Sequence, residues 1–145
     1  MNWDEYFINI AEQVKLKSKD NNTKIGVVLV GKNNEIVSTG YNSFPRGIND
    51  DVAERQEKPE KYFWFSHAET NAIVNCARIG VSTTGCKMYM SCEISCTDCA
   101  RNIINAGIVE IICVKGGGAK SDMWVEHGKR SLKMFEEAGV KVTFF

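Results

Sequence analysis

The sequence predicts an α/β fold, a five-stranded mixed sheet with helices on both faces. Three observations carry that expectation. Short β-branched or apolar runs alternate with longer segments of helical period. Strands separated by helices favour parallel pairing through right-handed crossovers. Two early strand-like runs are separated only by a Gly-Lys-Asn-Asn turn cluster, which adds an antiparallel hairpin.

Taken in order, Asn2 is a good N-cap for a first helix in which Trp3, Phe7, Ile10, Ala11 and Val14 recur at helical spacing. Ile25 to Val30 reads as a strand, Gly31 to Asn34 as the turn, and Glu35 to Tyr41 as the returning strand. Residues 43 to 62 are polar, hold both prolines (Pro45 and Pro59) and show no period, so a long functional or mobile loop is expected. Ser66 to Arg78 reads as a helix with Ala68, Ala72, Ile73, Cys76 and Ala77 on its apolar side. A strand from Lys87 to Ser91, a helix over 97–106 and a strand from Val109 to Val114 follow. After Gly116-Gly117-Gly118, a last helix over 122–138 stops at Gly139, and Val140 to Phe145 gives the final strand.

With 145 residues the chain fits a single domain, 1–145, and can build a core without disulfide staples. Lys+Arg and Asp+Glu are 18 each, so there is no basic excess to favour a nucleic-acid backbone as partner. No run approaches the ~20 apolar residues of a membrane span, and the start MNWDEYF lacks a signal peptide's regions. A cytoplasmic protein with no membrane partner is expected. In that setting the six cysteines should be mostly reduced, with Cys76, Cys86 and Cys113 acting as small buried hydrophobes.

The chemistry gathers at two helix starts. His67-Ala68-Glu69 opens one helix, and Cys96-Thr97-Asp98-Cys99 opens the next. Cysteines at i and i+3 share a helix face, and the positive helix end favours their thiolates. A CxxC pair alone also suits redox chemistry, and His127 could close a structural four-ligand site. With His67 as third donor, a zinc ion would keep one position for water, the mark of a catalytic site. Glu69 could then reach that water rather than the metal.

This combination resembles the zinc-dependent cytidine/deoxycytidylate deaminase superfamily, whose H-x-E…P-C-x-x-C signature is a known pattern. The likeness runs from about Trp3 to Phe145. Within the superfamily the dCMP deaminases are the nearest pattern, through Gly40-Tyr41-Asn42-Ser43-Phe44-Pro45-Arg46-Gly47, the helix start His67 to Ile73, and Cys99-Ala100-Arg101 through Ala106-Gly107-Ile108. One departure is Ser95, which stands where the family usually has proline; serine is itself an N-cap residue, so the site is expected to survive.

The resemblance implies a three-layer α/β/α cytidine-deaminase-like fold and hydrolytic deamination of dCMP to dUMP and ammonia, supplying thymidylate synthesis. It assigns one catalytic Zn²⁺ per chain to His67, Cys96 and Cys99, and the acid/base role to Glu69. The Ala68 backbone N–H is assigned to the pyrimidine carbonyl and Asn42 to the sugar hydroxyl. Arg78, nine residues after Glu69, matches a phosphate-binding arginine, with Arg46, Arg55 and Lys61 competing for that role. The segment from Asn42 to Asp51, including Arg46, Asn49 and Asp50, resembles the region that binds dCTP with Mg²⁺ as activator and dTTP as inhibitor. A homo-oligomer, a hexamer in many relatives, is implied, in a host cytoplasm if the chain is phage-encoded. Two other readings stay open: a deaminase of tRNA adenosine or a free base, and a non-catalytic nucleotide-sensing module, against which the intact Glu69 argues.

Overall fold

The computed structural model describes residues 1–94, 96–118 and 121–145. Helix α1 (Trp3–Val14) starts where its cap predicts: the Asn2 side chain accepts from Glu5 N–H, and the Glu5 carboxylate accepts from Asn2 N–H. Strands β1 (Gly26–Val30) and β2 (Ile36–Tyr41) form the expected antiparallel hairpin, with Asn34 in the left-handed region its short polar side chain tolerates. Strand β3 (Lys87–Met90) pairs antiparallel with β1, while β4 (Glu110–Cys113) and β5 (Lys141–Phe144) continue in parallel. The sheet order is β2-β1-β3-β4-β5.

Three more long helices connect these strands: α3 (Ala68–Ile79), α4 (Thr97–Asn105) and α5 (Asp122–Ala138). The steps β2-α3-β3, β3-α4-β4 and β4-α5-β5 all move the same way across the sheet. Crossovers of one hand therefore place these three helices on one face and leave the other to α1. The packing agrees. Ala72 and Cys76 of α3, Ala100 and Ile103 of α4 and Phe135 of α5 pack with Val27, Leu29, Met88 and Ile111. Phe7, Ile8 and Ala11 of α1 cover Val28, Val30, Tyr89 and Ile112 on the opposite face. Tyr89 carries its hydroxyl into that layer and donates to the Asp4 carboxylate at 2.8 Å.

Two boundaries differ from the sequence expectation. The helix expected from Ser66 begins at Ala68, because Ser66 is held in an isolated bridge with Ser43. The segment read as a loop over 43–62 contains a 3₁₀ turn at Ala53–Gln56 and a short helix α2 at Lys61–Trp64. The capping reading at Ser95 lies outside the described residues, and α4 is capped by Cys96, whose sulfur accepts from the Cys99 N–H.

All six cysteines are free and buried. Gly40 sets the spacing between sheet and α3. A Cβ there would lie 2.4 Å from both Ala68 O and Ala72 N, so the first turns of α3 rest on bare backbone. Gly40→Ala is expected to lower unfolding free energy by about 1–3 kcal/mol through this overpacking. Denaturant melts check it, and a loss below about 0.5 kcal/mol, the range of an ordinary surface change, would contradict the close approach.

Candidate metal centre

The N-termini of α3, α4 and α5 all follow the C-terminal ends of mutually parallel strands, the edge where open α/β sheets bind ligands. His67 is the N-cap of α3, yet its side chain makes no capping bond. Its ring turns instead to α4, with Nδ1 3.2 Å from Cys99 Sγ. The ligating atoms of His67, Cys96 and Cys99 all lie within 4.8 Å of one another, and the two thiols are buried. One imidazole and two thiolates at that separation fit a zinc ion, which takes such donors at about 2.0–2.3 Å. The donor set thus fits the metal.

Charge within the cluster follows the hydrogen bonds. The neighbouring Cys99 thiol, His67 and the N–H that Cys99 donates to it draw Cys96 below the usual thiol range against its burial. Cys96 beside it and its burial push the Cys99 thiol far above that range. His67 is raised to about 9, with Cys96 as the main cause although Cys99 makes the close contact at 3.2 Å. Burial opposes that rise and Glu69 adds to it.

Behind the cluster lies a cavity of about 600 Å³, within the ~300–1,000 Å³ of small-molecule sites. Glu69 lines it, 5% exposed, and its carboxylate has no hydrogen-bonding partner among the described residues. Ala68 lines it too, in a helix turn whose N–H groups have no intrahelical acceptors. Cys92 borders the same space, its thiol pushed up by burial, and it does not belong to the cluster of converging donors.

Asn42 reaches the cavity from the far wall, and its amide is almost fully used. Its Oδ1 accepts from Ile25 N–H at 2.8 Å, while Nδ2 donates to Thr23 O and to Asp20 Oδ2. Asp20 Oδ1 accepts in turn from the buried Lys61 ammonium at 2.8 Å. Sequence reasoning did not find this Asp20–Lys61 pair. The partners are 41 residues apart, and lysine is ordinarily a surface residue.

The cationic candidates scatter. Lys61 and the exposed Lys58 line the cavity. Arg78 is exposed in the last turn of α3 and lines neither cavity described. Arg55 stacks 3.7 Å over the Trp64 ring and donates to Asn49 O. Arg46 and Asp50 lie with Lys17 and Lys19 around a second cavity of about 260 Å³. His127 is not in the donor cluster; its Nδ1 faces the Thr97 hydroxyl at 3.1 Å.

A family model described as the cytidine and deoxycytidylate deaminase zinc-binding region matches residues 1–115. The chain belongs to this family. An uncharacterised deaminase from Aliivibrio fischeri is 37% identical to this deaminase-family chain over 142 residues, 98% of this chain and 92% of that protein. Human deoxycytidylate deaminase is 39% identical over 117 residues, 77% of this chain and 64% of the human protein. Among solved structures, the dCMP deaminase of cyanophage S-TIM5, crystallised with dCMP and dUMP, matches with a TM-score of 0.77 at 23% identity, covering 97% of this chain and 95% of that one. That likeness shows the cytidine-deaminase-like three-layer fold, as the sequence predicts. Among the described residues, no helix is long and apolar enough to cross a membrane.

Proposed function

We propose that the chain, as one deaminase domain spanning 1–145, hydrolyses dCMP to dUMP and ammonia, supplying dUMP for thymidylate synthesis. The observation that carries this reading is a buried Glu69 carboxylate, open to the cavity beside the His67/Cys96/Cys99 cluster. The deoxycytidylate deaminases among its relatives support the choice of substrate. His67, Cys96 and Cys99 would hold a zinc ion, which would supply there a water acidic enough to be deprotonated near neutral pH.

Glu69 would take the proton of the attacking water as its oxygen adds to C4 of the cytosine ring, and deliver it to N3. It then carries the second proton to the 4-amino nitrogen, the C4–N4 bond breaks, and ammonia departs. The Ala68 N–H donates to the pyrimidine carbonyl. Asn42, with both amide hydrogens committed to the protein, can only accept through the remaining lone pair of Oδ1, which suits a sugar hydroxyl.

The 5′-phosphate meets Lys58 and Lys61 on the cavity wall, Lys61 with part of its charge already answered by Asp20. Arg78, exposed in the last turn of α3, contacts the phosphate only by turning its long side chain back or from a neighbouring subunit of a homo-oligomer. The test is ammonia release from dCMP, CMP, deoxycytidine, adenosine and tRNA, run alongside Glu69→Gln. dCMP should be the best substrate, and Glu69→Gln should keep its zinc while turnover falls about 10²–10⁴-fold. Preference for tRNA or adenosine, or wild-type turnover in Glu69→Gln, would overturn the reading.

Regulation belongs to the same proposal. The second cavity, with Lys17, Lys19 and Arg46 around it, suits a nucleoside triphosphate, and Asp50 beside them suits its Mg²⁺. Asn49 closes the adjoining turn by accepting from Asp51 N–H. In the host or cellular cytoplasm, dCTP with Mg²⁺ activates and dTTP inhibits. At low dCMP, rates should rise with dCTP and fall with dTTP, through an affinity coupling of about 5–150-fold. Rates indifferent to both would remove the regulatory role from the segment Asn42 to Asp51.

A further inference from the structure

Helix α5 lies beyond residue 115, where the family match ends, yet it builds one wall of the cavity. Trp124, Val125, Gly128 and Leu132 line that wall. The half-buried Trp124 sits beside the donor cluster, its ring edge-on to His67 with centroids 6.1 Å apart. Of the aromatic rings lining the cavity (Tyr62, Phe65, Trp124 and Phe144), it is the one in ring contact with a metal ligand.

The helix is tied to the site at the same point. His127, one turn on from Trp124 and in ring contact with it at 5.4 Å, places Nδ1 3.1 Å from the Thr97 hydroxyl and 3.5 Å from the Thr97 N–H. That N–H is one of the amides a helix start leaves without an intrahelical acceptor, and Thr97 directly follows Cys96. The ligand turn of α4 and the aromatic wall of α5 are therefore fastened through one imidazole. Ser121 caps α5 by accepting from Trp124 N–H, which fixes the backbone at the indole.

We infer that Trp124 is the substrate-binding wall against which the flat face of the substrate's heterocycle packs, and that His127 is the positioning residue that holds it there. The inference rests on the pyrimidine reading above. A reacting ring must lie beside Glu69 and the cluster for its C4 to be reached. A ring in that place, with its polar edge toward the Ala68 N–H, turns a face toward α5. An indole offers the largest flat apolar surface of any side chain and tolerates any planar ring.

The measurements are dCMP steady-state kinetics, zinc content and melting temperature for Trp124→Ala, Trp124→Phe, His127→Ala and His127→Gln, with dCMP binding by calorimetry in a Glu69→Gln background. Removing one base–aromatic stack weakens binding roughly 5- to 150-fold. Trp124→Ala should raise KM and the Glu69→Gln Kd within that range while zinc stays near wild type. Trp124→Phe should recover to within about fivefold, because a phenyl ring still stacks. His127→Ala should lower kcat/KM with zinc retained, and His127→Gln, whose amide oxygen can accept from Thr97, should restore part of it.

Trp124→Ala kinetics within about twofold of wild type would overturn the inference while leaving dCMP deamination standing; the stacking range leaves no room for so small an effect. So would a Trp124→Phe chain that loses zinc and melting temperature together with activity, since the ring would then serve the fold. If the unaltered chain fails to turn over dCMP, the functional reading fails and this inference with it.

Discussion

The approach of two helix N-termini to within one ion's reach is the constraint on which the rest of this structure depends. His67 and the Cys96/Cys99 pair come from different helices and converge within 4.8 Å. Each helix must start where it does: one residue's slip in α3 or α4 rotates its donors by about 100° and carries them away. The close seat of α3 on Gly40 and the backbone bond that folds Cys96 onto the Cys99 N–H both serve that placement. A His N-cap that leaves its capping bond unmade gives up a contribution of about 1 kcal/mol to local stability. Its ring is thereby kept for the cluster.

The opposite wall of the cavity is set by a second, polar constraint. Ser18 donates to Asn42 O, Asp20 N–H donates to Ser18, and the Asp20 carboxylate gathers Asn22, Thr23, Asn42 and Lys61. Buried ion pairs contribute little net stability against apolar packing, but breaking one by removing a partner costs about 3–5 kcal/mol. Such a network suits specification more than strength. It fixes which way the Asn42 amide points, and with it which hydrogen bonds the cavity can offer.

Much of this was legible in the sequence for a physical reason. Strand runs, helix periods and caps are local, so α1, α5 and all five strands fall within one or two residues of expectation. The metal donors were legible because H-x-E and C-x-x-C encode reach over a single turn. The segment 53–64 was not, since a 3₁₀ turn and a four-residue helix are too short to show a period. Lys61 was noticed only as a phosphate candidate; its burial against Asp20 was missed because nothing in sequence marks a lysine for burial. His127 was noticed only as a candidate ligand. Its tie to Thr97, and the place of Trp124 beside His67, arise from the packing of α5 on α4, which spacing does not reveal.

The most direct test of a metal-dependent deaminase centred on these two helix starts is to strip the chain with a chelator and titrate zinc back, following dCMP turnover and bound metal together. With His67, Cys96 and Cys99 as the full protein donor set, turnover should be abolished in the stripped chain. It should then return in proportion to zinc and saturate near one ion per chain, while Cys99→Ala neither holds the ion firmly nor recovers. Turnover that persists after stripping, or full zinc occupancy in Cys99→Ala, would contradict the account.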